Sequence, residues 1–148
     1  MSTTDTPVNA YLRTKVMTAP REELRLMLLD GAVKFASQAR DGLARKDFES
    51  VYNGVTQCRD IIVELMTTVR DDVDPDLAGK VRALYGYLYN ELTTANLEKD
   101  LAKFDGVISL LAYERETWQL LIQKFRAERS DATADAAPTE RPALSVQA

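Results

Sequence analysis

A chain of 148 residues is long enough to form one domain with its own core, and its 45% hydrophobic and 28% charged residues are ordinary for a soluble protein. The net charge of −4 argues against a nucleic-acid binder, which should show a basic face, and no apolar run approaches the roughly 20 residues needed to span a bilayer. Histidine is absent altogether, which removes Ser-His-Asp and Cys-His catalysis, His-ligated zinc, the Glu-x-x-His di-iron bundle and a phosphorelay histidine. No Gly-rich phosphate loop is present, and an enzyme would have to work with carboxylates, lysines and hydroxyls alone; the expectation is no catalytic residues, no metal site and no cofactor.

The opening "MSTTDTPVNAYLR" lacks a basic start followed by an apolar block and does not read as a secretory signal. With one cysteine, Cys58, the chain fits a reducing cytoplasm. Residues 1–10 are polar and expected to be disordered, as is the Ala-, Asp-, Thr- and Pro-rich tail 128–148. The folded domain is expected over residues 11–127.

Four amphipathic patterns lie between these ends. The first helix is predicted from about Arg21 to Arg45, with Pro20 suited to its start and Glu22 and Glu23 to its dipole. Its apparent stripe is Leu24, Leu28, Ala32, Phe35, Ala39 and Leu43. The second runs from about Phe48 to Arg70 with Asp47 as N-cap, and its seam is Phe48, Val51, Val55, Cys58, Ile62, Leu65 and Val69. The third opens on Asp74 and Pro75 and carries Leu77, Val81, Leu84, Leu88, Leu92 and Ala95. Its three tyrosines divide, because 100° per residue puts Tyr85 and Tyr89 on one face and Tyr87 nearly opposite. The fourth begins near Asp100 and carries Leu101, Phe104, Ile108, Leu111, Trp118, Ile122 and Phe125.

No segment reads as a strand, and the links between helices are short enough to force antiparallel neighbours. The expected fold is all-α, an antiparallel up-down four-helix bundle with a short N-terminal segment packed on it and a disordered C-terminal tail. All six glycines fall inside helices or their first turns, and Gly31, Gly54, Gly86 and Gly106 are candidates for close backbone approach or simple tolerance.

A bundle helix needs one apolar stripe, yet several of these carry more. Leu26, Leu29 and Val33 lie off the first stripe, Tyr87 off the third, and Leu110, Tyr113 and Leu121 off the fourth. Wide stripes with ordinary exposed leucines account for some of this. The apolar segment "VNAYLRTKVM", through Tyr11, Leu12 and Val16, can act as a lid over part of the surface. A partner helix seated in grooves is the third account, compatible with the second. The carboxylates Asp71, Asp72 and Asp74 sit in a turn, where capping is a simpler role than metal binding.

The stretch "YLRTKVMTAPREELRLMLLDGAVKF" resembles the opening of the flagellin-specific export chaperones, the FliS family, at Tyr11, Val16, Thr18, Ala19, Glu22, Glu23, Leu24, Met27, Leu28, Asp30, Gly31 and Ala32. "LYGYLYNELTTANLEKD" resembles the end of that family's third helix, and "VISLLAYERETW" its last helix, in the same order and spacing. Leu29 stands where the family has an aromatic, and the proline at the first helix start sits one place early. The resemblance implies an antiparallel four-helix bundle that binds the C-terminal segment of flagellin in the cytoplasm. It implies that binding blocks premature polymerisation and that the subunit then passes to a component of the flagellar export apparatus. It implies a movable N-terminal segment, no enzymatic activity, no nucleic acid and no membrane insertion. The other reading is a helical interaction or scaffold bundle with no flagellar role.

Overall fold

Aspartates open the second, third and fourth helices, and left-handed lysines close the first and third. The computed structural model describes residues 21–72 and 74–147, with side chains through residue 131. Helix α1 (Arg21–Ala44) carries Glu22 and Glu23 in its first turn, where they complement the dipole. It ends in a Schellman turn: Lys46 takes φ 59°, the Asp47 N–H donates to Gly42 O at 2.7 Å, and the Lys46 N–H to Leu43 O at 3.1 Å. Asp47 then caps α2 (Phe48–Thr67), accepting from the Ser50 N–H at 3.3 Å and the Ser50 hydroxyl at 2.9 Å. The Ser50 N–H, with the Ser50 hydroxyl behind it, holds the Asp47 carboxyl below its ordinary range.

Helix α3 (Pro75–Glu98) starts with Pro75 in its first turn and Asp74 accepting from the Leu77 N–H at 3.2 Å. Lys99, at φ 54°, closes it, and Asp100 opens α4 (Leu101–Gln147) by accepting from the Lys103 N–H at 3.2 Å. Lys-Asp thus makes both tight corners. In the 68–74 link the acidic side chains are all engaged, Asp71 with Arg82 at 2.6 Å, Asp72 with Arg70 at 2.7 Å, and Asp74 as the cap of α3. No strand occurs among the described residues.

Long-range polar contacts fix the register. Asp30 pairs with Arg115, and Arg40 with Asp105 at 2.9 Å, so α1 and α4 run antiparallel. Glu91 meets Lys103 at 3.6 Å, and the Tyr85 hydroxyl donates to Glu114 at 2.8 Å, so α3 and α4 do the same. Arg59 donates to Tyr89, tying α2 to α3, and Arg82 donates to Asp71 of the link before α3, both at 2.6 Å. These pairings make the antiparallel up-down four-helix bundle expected from the helical periods.

The contact between α1 and α2 is backbone against backbone. Ala32, Ala36 and Ala39 of α1 are fully buried, facing Gly54 and Cys58 of α2. A Cβ added at Gly54 would lie 2.6 Å from Phe35 O and 2.8 Å from Ala39 N. Gly42 is equally confined, at 2.9 Å from Ser50 Cβ, and Gly31 touches only a side chain, Ile61 at 3.1 Å. Gly86 and Gly106 have nothing within 4 Å of an added Cβ, so close helix approach accounts for Gly54 but not for them. The bulk of the core comes from α2, α3 and α4: Ile62, Leu65, Tyr85, Leu88, Leu92, Phe104 and Leu111 are all buried.

This small-residue contact corrects the phase expected for α1. The inward face is Arg25, Leu29, Ala32, Ala36 and Ala39, while Leu24, Leu28 and Phe35 are half-buried on its flanks. The bulky apolar residues suggested the wrong centre because the closest helix crossing selects small side chains, not large ones. The seam read for α2 holds from Val51 to Leu65, with Phe48 exposed at its end.

The chain divides into two units at Arg115 and Glu116. The first contains α1 to α3 and the opening turns of α4, and it is the bundle described above. In the second, Ile122 is buried, Trp118 half-buried, and Leu121 and Phe125 exposed. The α4 backbone continues through the 128–148 segment as far as Gln147, where a disordered tail is expected from composition. Five alanines between 127 and 137 favour helix there, although no apolar stripe accompanies them. No helix among the described residues is long and apolar enough to cross a membrane.

Two stability measurements follow from this packing. Gly54→Ala, forced against the α1 backbone, lowers the unfolding free energy by about 1–3 kcal/mol. Gly106→Ala, in open space, raises it by about 0.5–1 kcal/mol. Urea denaturation of the two variants gives opposite signs, and a harmless Gly54→Ala would refute the close approach. Burial pushes the Cys58 thiol up to about 12, and its Sγ–H donates to Ala32 O at 3.4 Å. At pH 8 a thiol reagent labels Cys58 only at the rate at which the bundle opens, so denaturant accelerates labelling sharply.

Candidate apolar rims on the bundle

With the core filled, apolar side chains remain along the edges between helices. The first edge lies between α1 and α4. The Asp30–Arg115 and Arg40–Asp105 pairs stand at its two ends. Helical spacing puts Val33 and Ser37 between them on α1, and Ile108 and Ala112 between them on α4. Leu26 continues the α1 edge one turn beyond Asp30. Leu26, Val33 and Ile108 are half-buried, and Ala112 is exposed. The edge is a shallow apolar strip of about three turns, fenced by charge at both ends.

The second edge lies between α3 and α4. Glu91–Lys103 and Tyr85–Glu114 set its register. Tyr87, one turn from Glu91 on the same side of α3, therefore stands opposite residues 107–112 of α4, among which is Leu110. Tyr87 is 50% exposed and Tyr113 is 72% exposed, while Leu110 is half-buried. Gly106, without a side chain, leaves the α4 backbone low beside them.

A buried polar relay underlies this second edge. Arg25 is 6% exposed and donates to the Tyr85 hydroxyl at 2.7 Å and to the Thr68 hydroxyl at 2.6 Å. Tyr85 passes its own proton toward Glu114 at 2.8 Å, so guanidinium, phenol and carboxylate form one line across α1, α3 and α4. Burial raises the Tyr85 pKa well above its ordinary value, which keeps the phenol protonated and able to donate. Sequence periodicity carries no sign of an inward-facing arginine, because Arg25 occupies a position where a core residue would be apolar.

The residues singled out from sequence fall into several groups. Leu26 and Val33 lie on the first edge; Tyr87, Leu110 and Tyr113 lie on the second. Leu29 is a correction: at 0% exposure it belongs to the core and cannot line a groove. Leu121, 38% exposed, belongs to the second unit and is described only there. Tyr11, Leu12 and Val16 lie outside the described residues. Ser37, Ile108 and Ala112 were not picked out as edge residues; a groove assembled from two helices becomes visible only when their register is known.

Comparison with known proteins finds one family along most of the chain. A family model described as flagellar protein FliS matches residues 4–125. The chain is 31% identical over 123 residues to the flagellar secretion chaperone FliS of Bacillus subtilis (strain 168), covering 83% of this chain and 91% of the relative. It is 28% identical over 107 residues to the flagellar secretion chaperone FliS of Escherichia coli (strain K12), covering 70% and 77%. With the Campylobacter jejuni flagellar secretion chaperone FliS the identity is 25% over 111 residues, covering 75% and 87%. The match reaches every helix of the bundle, and the chain belongs to the FliS family of flagellar secretion chaperones.

Proposed function

We propose that this chaperone binds the C-terminal segment of flagellin along its apolar edges, holds it unpolymerised in the cytoplasm, and releases it to a component of the flagellar export apparatus. The observation that carries the reading is the half-exposed Tyr87 beside Leu110 and Tyr113, apolar area left over once the core is complete. An amphipathic client needs its apolar face covered and nothing done to its bonds. Shallow strips along helices, without convergent titratable groups, suit that role better than a cleft. A segment that folds on binding gives up a few kcal/mol of ordering free energy, so contact spread over two edges leaves an affinity from which release is feasible.

In this reading Leu26 and Val33 receive one part of the client, and Tyr87, Leu110 and Tyr113 another. The N-terminal residues Tyr11, Leu12 and Val16 act as a lid that competes for the same surface in the free chaperone. The division into a 1–10 N-terminal segment, an 11–127 chaperone domain and a 128–148 tail belongs to the same proposal.

Titration of the full chain with a flagellin C-terminal peptide, followed by calorimetry, tests it. Tyr87→Ala weakens binding about tenfold, as loss of a partly buried aromatic anchor does. Tyr11→Ala tightens binding, because removing a competing lid segment raises the population of open chaperone. Unmeasurable peptide binding by the wild-type chain would overturn the proposal. Self-association through the edges, seen as concentration-dependent size without peptide uptake, would favour a scaffold instead.

A further inference from the structure

The relay Arg25–Tyr85–Glu114 has an unfinished copy on the next face of α3. Arg59 donates to the Tyr89 hydroxyl at 2.6 Å, and its guanidinium carbon stands 4.5 Å from the ring centroid. In the complete relay the tyrosine hydroxyl accepts from arginine and donates to a carboxylate at 2.8 Å. In the copy no carboxylate follows. Among the described residues Arg59 forms no ion pair, its buried Nε has no acceptor, and no acceptor takes the Tyr89 hydroxyl proton. Arginine carries five N–H donors and no acceptor, so a cation with a single hydrogen bond in a half-buried seam is under-satisfied.

The surroundings describe what is missing. One turn either side of Arg59 on the same edge of α2 are Thr56 and Val63; Gly86 and Thr93 are the equivalents around Tyr89 on α3. None of these can supply negative charge. Val63 is 47% exposed, and Tyr52, two turns from Arg59 on that edge, is 66% exposed. Gly86 is open beyond its backbone and lies on the outer surface of α3 between Tyr87 and Tyr89, a low crossing from one edge to the other.

We propose that the α2–α3 edge is a second docking strip for the flagellin segment, in which a client Asp or Glu completes the Arg59–Tyr89 pair while neighbouring aliphatic side chains cover Val63 and Tyr52. The carboxylate accepts from the Tyr89 O–H, as Glu114 accepts from the Tyr85 O–H within the chain, and in addition from an unused N–H of Arg59. The inference rests on the client reading above and adds to it a charge requirement: apolar contact gives affinity on the α3–α4 edge, and a carboxylate sets the register on this one.

A double-mutant cycle tests it with the full chain and the flagellin C-terminal peptide. Peptides with each Asp or Glu replaced singly by Asn or Gln are titrated against wild type, Arg59→Gln and Tyr89→Phe. Arg59→Gln is expected to weaken binding about ten- to hundredfold, the range for loss of a charge-assisted hydrogen bond, and Tyr89→Phe by a smaller factor. One neutralised peptide should show the same loss on wild type and no further loss on Arg59→Gln. Should Arg59→Gln fail to fold, Tyr89→Phe, which keeps the ring, carries the same cycle. Equal affinity of these variants, with Tyr87→Ala still weakened, would overturn the second strip and leave the proposed function standing. Losses that simply add for every peptide carboxylate would overturn it too. Absence of binding by the wild-type chain would remove both.

Discussion

The closeness of α1 to α2 governs the rest of the molecule. Gly54 lies under the Phe35 carbonyl, and Ala32, Ala36 and Ala39 turn inward because nothing larger fits between the two backbones. A helix whose inward face is mostly alanine, with Leu29 the one inward leucine, puts its other leucines elsewhere. Leu24, Leu26, Leu28, Val33 and Phe35 end on the flanks, half-buried. Sharing them among neighbouring helices covers part of each; the remainder is the apolar area from which the edges are built. The surplus that suits a chaperone is therefore a consequence of tight packing at one interface, not of a poor core.

Polar contacts hold this arrangement in register where greasy packing alone would let helices slide. Removing a charge from water is costly unless it is hydrogen-bonded, and Arg25 is bonded to both Tyr85 and Thr68. Sliding α4 by one turn would take Glu114 from Tyr85, Lys103 from Glu91, and Arg115 from Asp30 together. The exposed pairs contribute little stability individually, but they agree on a single register. The proposed client edge, with Tyr87 opposite Leu110, depends on that agreement more than on extra stability.

Helix number, order, caps and antiparallel sense were legible in the residues, because periods of three and four, an Asp at the start of α2, α3 and α4 and very short links are local signals. Asp47 and Asp74 cap as read, and Tyr85 is inside while Tyr87 is half-exposed. Tyr89 is only half-buried, because it leans toward α2 to meet Arg59. The phase of α1 was not legible, since hydrophobic periodicity weighs leucine above alanine and the helix crossing does the reverse. Leu29 was placed on the surface for that reason. Buried arginine is invisible to the same method, because its partners Tyr85 and Thr68 lie 60 and 43 residues away.

The two Arg–Tyr pairs of α3 are finished differently. On α3, Tyr85 and Tyr89 are separated by one turn, and each receives an N–H from an arginine on a different neighbour, α1 or α2. The first line ends on the chain's own Glu114. The second ends at the surface. A fold selected only for stability would supply a carboxylate for Arg59, since several positions around Tyr89 could carry one without disturbing the core. In the second docking strip proposed above, threonine and glycine at those positions leave the Arg59 cation and the Tyr89 phenol available to a client of complementary charge.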